Sequence, residues 1–454
     1  MSTAGPGADP ILLRTKCSYG LGALGKDFAC SIVYLFLMYY YTDVVGVPAA
    51  FVGTLFLFAR VIDAVSDPVM GMVVDNTRGR LGKFRPWIVI GTLINSLALL
   101  ALFSAHHFSG AELLVYVTVT YIFWGLSYTI MDIPFWSMVP ALSSAREERE
   151  RLVVWPRLFA SFAWMIVGTY GLASVGFLGA GDEGRGFFLL SGVIIVSFII
   201  SALITVTQVK ERVRSTTDRE RFSLGDVVTI LKSNDQLASL IGCVFTFNIG
   251  TQLVGGFAIY YFSYAIGKPE LFPMFALVSG IAEMLGVFIF PWLCRYLPRR
   301  LTWYIASVFA LGCSVVLLVG SVLAPQSGVL VAVAGALLKF GGGVANGLGT
   351  VMLADVVDYG HYKTGKRSES ILFSVQTMLV KFAGAFAGFF IGVGLSLIGY
   401  VPNAVQSDVT VMGLRALMIG LPALFLVGSI WVYRRTFRLH GPLHREVSEF
   451  LAHR

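Results

Sequence analysis

Along this chain of 454 residues, polar and charged positions cluster in short runs. Between them lie stretches of about 20 or more predominantly apolar residues, the length an α-helix needs to cross a bilayer. Twelve such stretches fall at about 18–42, 50–74, 87–106, 112–140, 153–178, 186–208, 236–265, 271–294, 301–323, 328–354, 370–399 and 411–433. The connection at 209–235 is the longest and most polar, and it divides the spans six and six. The pattern predicts an all-α integral membrane protein with twelve transmembrane helices in two six-helix halves. The expected divisions are an N-terminal half at 1–208, a central cytoplasmic loop at 209–235, a C-terminal half at 236–436 and a cytoplasmic tail at 437–454.

Composition sharpens this picture. Hydrophobic residues make up 56% of the chain and charged residues 13%, against about 25% charged in soluble domains. Residues 1–16 are polar and the first apolar stretch is long, so no cleavable signal peptide is expected. The net charge of +8 would suggest nucleic acid in a soluble protein. Here the basic residues sit in short loops between spans, so no nucleic-acid partner is expected and the charges set topology. The loops after spans 2, 4, 6, 8 and 10 carry Arg78, Arg80, Lys83 and Arg85; Arg146, Arg149 and Arg151; a basic run from Lys210 to Lys232; Arg295, Arg299 and Arg300; and Lys363, Lys366 and Arg367. The opposite side carries only Arg185, Lys268 and Arg415. Both termini are therefore expected in the cytoplasm. The cysteines, Cys17, Cys30, Cys243, Cys294 and Cys313, are scattered and show neither metal spacing nor a disulfide framework.

The halves echo one another. Tyr39, Tyr40, Gly46, Pro48 and Phe51 recur as Tyr260, Tyr261, Gly267, Pro269 and Phe272, each copy ending an odd-numbered span and opening the next. Parallel repeats with a site between them near mid-membrane are the arrangement of the major facilitators. Gly71, Asp75, Arg78 and Arg80 lie where that superfamily carries a Gly–Asp–Arg loop. Asp75 could take charge-assisted hydrogen bonds there and help hold a closed state, with Arg78 and Arg149 on the same side; a tight polar turn is the simpler reading.

Charges inside the spans carry the functional argument. A charge in hydrocarbon costs at least about 2.5 kcal/mol unless it is paired or lines a wet cavity. Span 2 places Asp63, Ser66 and Asp67 on one helix face, at i, i+3 and i+4. Paired carboxylates with a hydroxyl suit Na⁺, Li⁺ or a proton. The alternative is that Asp67 pairs with a basic group while Asp63 caps or salt-bridges. Span 4 places Tyr128, Thr129, Asp132 and Trp136 on one face. A carboxylate one turn from an indole suits a sugar, the acid bridging hydroxyls and the ring stacking on the apolar face. Span 1 adds Lys26, Asp27 and Tyr34, span 5 Arg157 and span 11 Lys381. The run Gly20-Leu-Gly-Ala-Leu-Gly-Lys26 imitates a phosphate-binding loop, but Asp27 stands where Ser or Thr would hold Mg²⁺. Glycines in a membrane helix usually permit close packing. No cofactor is expected, and the energy source is an ion or solute gradient.

These motifs amount to a resemblance. Ser18–Phe28, Leu37–Gly46, Gly82–Trp87, Met131–Trp136, Asp355–Gly360 and Ser374–Met378 resemble the melibiose permeases among the glycoside–pentoside–hexuronide:cation symporters, over about 17–440. The resemblance implies galactoside uptake coupled to Na⁺, Li⁺ or H⁺ across a bacterial inner membrane. It also implies regulation by a cytoplasmic phosphotransfer-system protein. It places Asp63, Asp67 and Thr129 at the cation, with Ser66 and Lys381 beside them. Lys26, Asp27, Asp132, Trp136 and Arg157 contact the sugar, flanked by Tyr128, Gln376, Thr377 and Val380. Asp355, Asp358 and Arg367 help close the cytoplasmic side. Ser66 stands where those permeases usually have Asn, which favours H⁺ or Li⁺ over Na⁺. Asn346 stands where the second-half cavity usually offers Trp, which broadens or weakens the sugar preference. Glu283 and Lys339 each replace an expected Asn at similar depth in spans 8 and 10, and are expected to form a salt bridge. A membrane-embedded enzyme would need an acid–base or metal cluster at depth, which is not visible. A non-transporting receptor would not need the charges. Another glycoside, a pentoside or a hexuronide as cargo stays open.

Overall fold

The computed structural model describes residues 11–77, 82–142, 146–210, 234–324, 327–364, 369–439, 443, 446 and 447. All regular structure among them is helical. The chain divides into two compact units, Met1–Thr217 and Asp218–Arg454. The first holds α1 (Leu13–Tyr39), α2 (Ala49–Asn76), α3 (Arg85–Leu102), α4 (Gly110–Ser137), α5 (Arg146–Gly179) and α6 (Glu183–Gln208). The second holds α7 (Asp235–Tyr260), α8 (Leu271–Tyr296), α9 (Arg299–Leu323), α10 (Gly328–Thr364), α11 (Glu369–Leu397) and α12 (Asp408–Thr436), the last interrupted by one π-helical turn at Ala416–Gly420. Eleven described helices are long and apolar enough to cross a membrane. The twelfth, α2, is as long and carries Arg60, Asp63, Asp67 and Asp75. The fold is that of an all-α integral membrane protein.

Two helices outrun their apolar stretches. α5 starts at Arg146, well before the expected 153, and α10 continues to Thr364. Hydropathy registers the hydrocarbon slab, whereas the backbone ladder continues into the aqueous layer wherever good helix formers follow. The segment Arg146-Glu-Glu-Arg-Glu-Arg151 is of that kind.

Helices in lipid gain little from hydrophobic exclusion, so they associate by close packing of small residues. In the first unit α1 packs on α5 and α6, while α4 packs on α2 and α3. Two of the glycines that imitate a phosphate loop serve the α1–α6 contact. A methyl group at Gly22 would strike the Thr205 hydroxyl, and one at Gly25 would strike Ser201. In the second unit α10 packs on α8 and α9, and α7 on α11 and α12.

The echo between halves is built into the backbone. Each first helix ends in a π-helical turn, Tyr40–Val44 in one unit and Tyr261–Ala265 in the other. Val45 N–H donates to the Tyr40 carbonyl and Val47 to Tyr41; Ile266 donates to Tyr261 and Lys268 to Phe262. A glycine follows each turn at positive φ, Gly46 at 84° and Gly267 at 73°. That left-handed region is one side chains rarely adopt, so both positions require glycine.

Candidate functional site

α1 and α4 are locked in register before any charge is placed. The Tyr19 and Phe135 rings stack at 4.5 Å, and the Tyr19 hydroxyl donates to the Phe135 carbonyl at 2.6 Å. On α3, Asn95 donates to the Trp124 carbonyl and to the Ser127 hydroxyl, at 3.0 and 2.9 Å, which sets the rotation of α4.

That frame brings together the residues expected at the sugar. Lys26 Nζ lies 2.9 Å from Asp132 Oδ1 and 3.4 Å from Asp27 Oδ2. It donates to the Tyr128 hydroxyl at 3.2 Å. The Tyr128, Phe135 and Trp136 rings surround it, with centroids at 5.7, 5.6 and 5.4 Å. All three ionisable side chains are nearly sealed, so the ion pairs act at low dielectric and their desolvation is offset by hydrogen bonds and ring faces. Among the described side chains of this group, one ammonium faces two carboxylates. Trp164 of α5 completes it, its indole N–H donating to Asp27 Oδ1 at 3.1 Å. Arg157, also on α5, is exposed. It stands two turns before Trp164, on the same helix face. Tyr34 lies near Trp124 and Trp164, with ring centroids at 6.4 and 5.9 Å.

The residues expected at the cation occupy the α2–α4 seam. Thr129 donates to Asp67 Oδ1 at 2.8 Å. Asp63 is buried, and its Oδ2 lies 2.6 Å from Arg60 Nη1, one turn earlier on α2. The Ser66 hydroxyl donates to the Asp63 main-chain carbonyl at 3.2 Å, and so is turned to its own helix. Ser66 and Thr129 are the polar members of a groove of about 590 Å³ between α2 and α4, otherwise lined by apolar side chains such as Phe58, Val61 and Val69. No group of three or more His, Cys, Asp or Glu side chains suited to a metal occurs among the described residues.

The remaining expected residues lie in the second unit or outside the described residues. Lys381 is half-buried on α11, where Val380 is exposed and its carbonyl accepts from Gln252 at 3.4 Å. Asn346 is exposed on α10. Asp355 is ion-paired with Arg299, which opens α9, and Asp358 lies half-buried one turn further on. Close by, Asp235 at the start of α7 receives Lys363 at 2.8 Å and the Tyr359 hydroxyl at 3.1 Å. The expected Glu283–Lys339 salt bridge forms, Nζ to Oε2 at 3.0 Å. The side chains of Asp75, Arg149, Gln376 and Thr377, and residues Arg78 and Arg367, lie outside the described residues.

Arg60, Trp164, Phe135 and Arg299 join the site and the gate beyond the residues that the sequence pattern singles out. Arg60 and Trp164 each carried a signal: one precedes Asp63 by a turn, the other follows Arg157 by two.

Residues 18–440 match the family model described as MFS/sugar transport protein. The chain belongs to that family. It is similar to the Inner membrane symporter YicJ of Escherichia coli (strain K12), 30% identical over 98% of this chain and 96% of that protein. The Isoprimeverose transporter of Lactiplantibacillus pentosus is 32% identical over 86% of this chain and 82% of its own. Among solved structures, a bacterial homologue of the human lysosomal transporter Spinster matches with a TM-score of 0.68 at 13% identity, covering 95% of this chain and 98% of that one. At that identity the likeness shows the fold alone.

Proposed function

We propose that the chain is a secondary active symporter that takes up a glycoside together with a monovalent cation by alternating access. The observation that carries this reading is the sealed group of Lys26, Asp27 and Asp132 ringed by aromatic faces. It neighbours, along α4, a second acidic site at Asp63 and Asp67. Intramembrane ionisable residues of this kind mark solute and ion pathways. A relative of Escherichia coli (strain K12), 28% identical over 94% of this chain, is named a putative glycoside/cation symporter, which supports the same class. In the cycle, the cation engages Asp67 and Thr129, and the sugar engages Asp27, Asp132, Trp136 and Arg157. Each raises the affinity of the other by the same factor. Ser66, turned to its own helix, favours H⁺ or Li⁺ over Na⁺ as the coupling ion. The expected cargo is a galactoside resembling melibiose, and the expected location is a bacterial inner membrane. A second reading keeps the mechanism and changes the cargo to another glycoside, a pentoside or a hexuronide. The missing aromatic wall at Asn346 favours it.

The test is uptake by vesicles holding the full chain, with labelled galactosides and other glycosides, under a Na⁺ gradient, a Li⁺ gradient or a pH step. At least one pairing should give concentrative uptake, and Asp67→Asn should remove the ion's effect. No accumulation under any gradient, or full coupling in Asp67→Asn, would overturn the reading.

A further inference from the structure

α8 and α10 meet along a seam of small residues. A methyl group on Gly286 would lie 2.5 Å from the Phe340 carbonyl oxygen, and one on Gly343 would strike the Glu283 carbonyl. Only glycine permits that approach. The approach sets Glu283 beside Lys339, and the pair so formed is not sealed: the Lys339 side chain is 36% exposed and that of Glu283 23%. By comparison, the Lys26 and Asp132 side chains are 5% and 7% exposed. Partly open charges at membrane depth face a bundle interior or a wet cavity rather than lipid.

Two turns further along, on the same faces, α8 carries Phe290 and α10 exposes Asn346. The Phe290 ring lies over Gly347, where a methyl group would come within 2.5 Å of Cδ1. The seam thus presents an ion pair, and about 10 Å away along the helices an aromatic ring beside an amide. After pairing, the ammonium still has hydrogens to donate and the carboxylate a second oxygen to accept. A donor and an acceptor side by side match neighbouring hydroxyls, each of which both donates and accepts. The pair carries no net charge, so it favours a neutral solute over a carboxylate, whose desolvation it does not offset. The Phe290 ring offers the apolar stacking surface that Asn346 does not.

We propose that Glu283, Lys339, Asn346 and Phe290 form a second solute-contacting strip, in the C-terminal half, for the vicinal hydroxyls and apolar ring face of a neutral glycoside. The proposal rests on the transport reading above and specifies its solute.

The experiment measures KM, maximal rate and membrane abundance for radiolabelled methyl α-galactoside, methyl α-xyloside and methyl α-galacturonide. The full chain is compared with Glu283→Gln/Lys339→Gln and with Phe290→Leu. Removing both charges together avoids leaving one unpaired, and Phe290→Leu carries no charge change at all. The double variant should raise KM for the neutral glycoside that the wild type transports about tenfold, with the maximal rate per molecule held. It should also narrow discrimination against the galacturonide. Phe290→Leu should raise the same KM severalfold. Wild-type KM values in Phe290→Leu, or in a double variant that reaches the membrane, would overturn the strip and leave the transport reading intact. Wild-type vesicles that accumulate no glycoside of the wider panel under any gradient would overturn the transport reading and the strip with it.

Discussion

Arg60 changes what Asp63 can be. With its guanidinium 2.6 Å away, Asp63 holds a buried positive charge in place, and the two acids of α2 have different work. Removing one partner of a buried pair costs about 3–5 kcal/mol, because the other is left uncompensated. Asp63→Asn should therefore lower the thermal stability of the detergent-solubilised protein, and Asp63→Asn/Arg60→Gln should recover most of it. Asp67→Asn should uncouple uptake from the ion gradient. Trp164 acts at a different point. Its indole donates to the carboxylate of Asp27, and a hydrogen bond to a charged group contributes about 1.5–3 kcal/mol. Trp164→Phe should raise the KM for the transported sugar about tenfold or more, with abundance unchanged. The acids and Lys26 were legible in the sequence because a charge is conspicuous in an apolar run. Phe135 was not, and Trp164 only through its spacing from Arg157, because an aromatic residue in such a run looks like lipid-facing packing until its partners are known. Nor could residue type alone separate Asp63 from Asp67; their difference lies in which neighbour α2 and α4 bring to each.

At the scale of the helix, the site depends on the rotation and separation of α4 against its neighbours. Gly91 of α3 sets one of those separations: a methyl group there would meet the Met131 backbone nitrogen at 2.6 Å and the Ile130 carbonyl carbon at 2.8 Å. Backbone atoms cannot step aside as a side-chain tip can. Gly91→Val should cost about 1–3 kcal/mol as overpacking, read as a lower unfolding temperature. It should also weaken sugar binding, since Asp132 follows directly on the displaced segment. The twelve spans were legible from apolar length, and most boundaries fall within a few residues of expectation. The early start of α5 and the late end of α10 were not, because polar helix formers outside the slab leave no hydropathic mark. The π-helical turns were visible only as a repeated Tyr-Tyr and a glycine, a pattern that does not itself specify an extra residue per turn.

For the molecule as a whole, the distribution of Lys and Arg predicts that both termini are cytoplasmic. A green fluorescent protein fused after Arg454 should be bright, and an alkaline phosphatase fused there inactive; the reverse would invert the topology. The Arg60–Asp63 pair has a consequence beyond its own helix. With Asp63 held by Arg60, the proposed cycle takes one monovalent ion, at Asp67 and Thr129, per sugar. A neutral solute entering with one such ion moves one positive charge inward on each turnover. The membrane voltage then drives import alongside the chemical gradient: 100 mV, negative inside, adds about 2.3 kcal/mol per charge, or about a fiftyfold increase in attainable accumulation. Short-circuiting that voltage with valinomycin and balanced potassium, while the ion gradient is maintained, should cut accumulation by a comparable factor, and an unaffected plateau would mean that the charge is returned by a second ion.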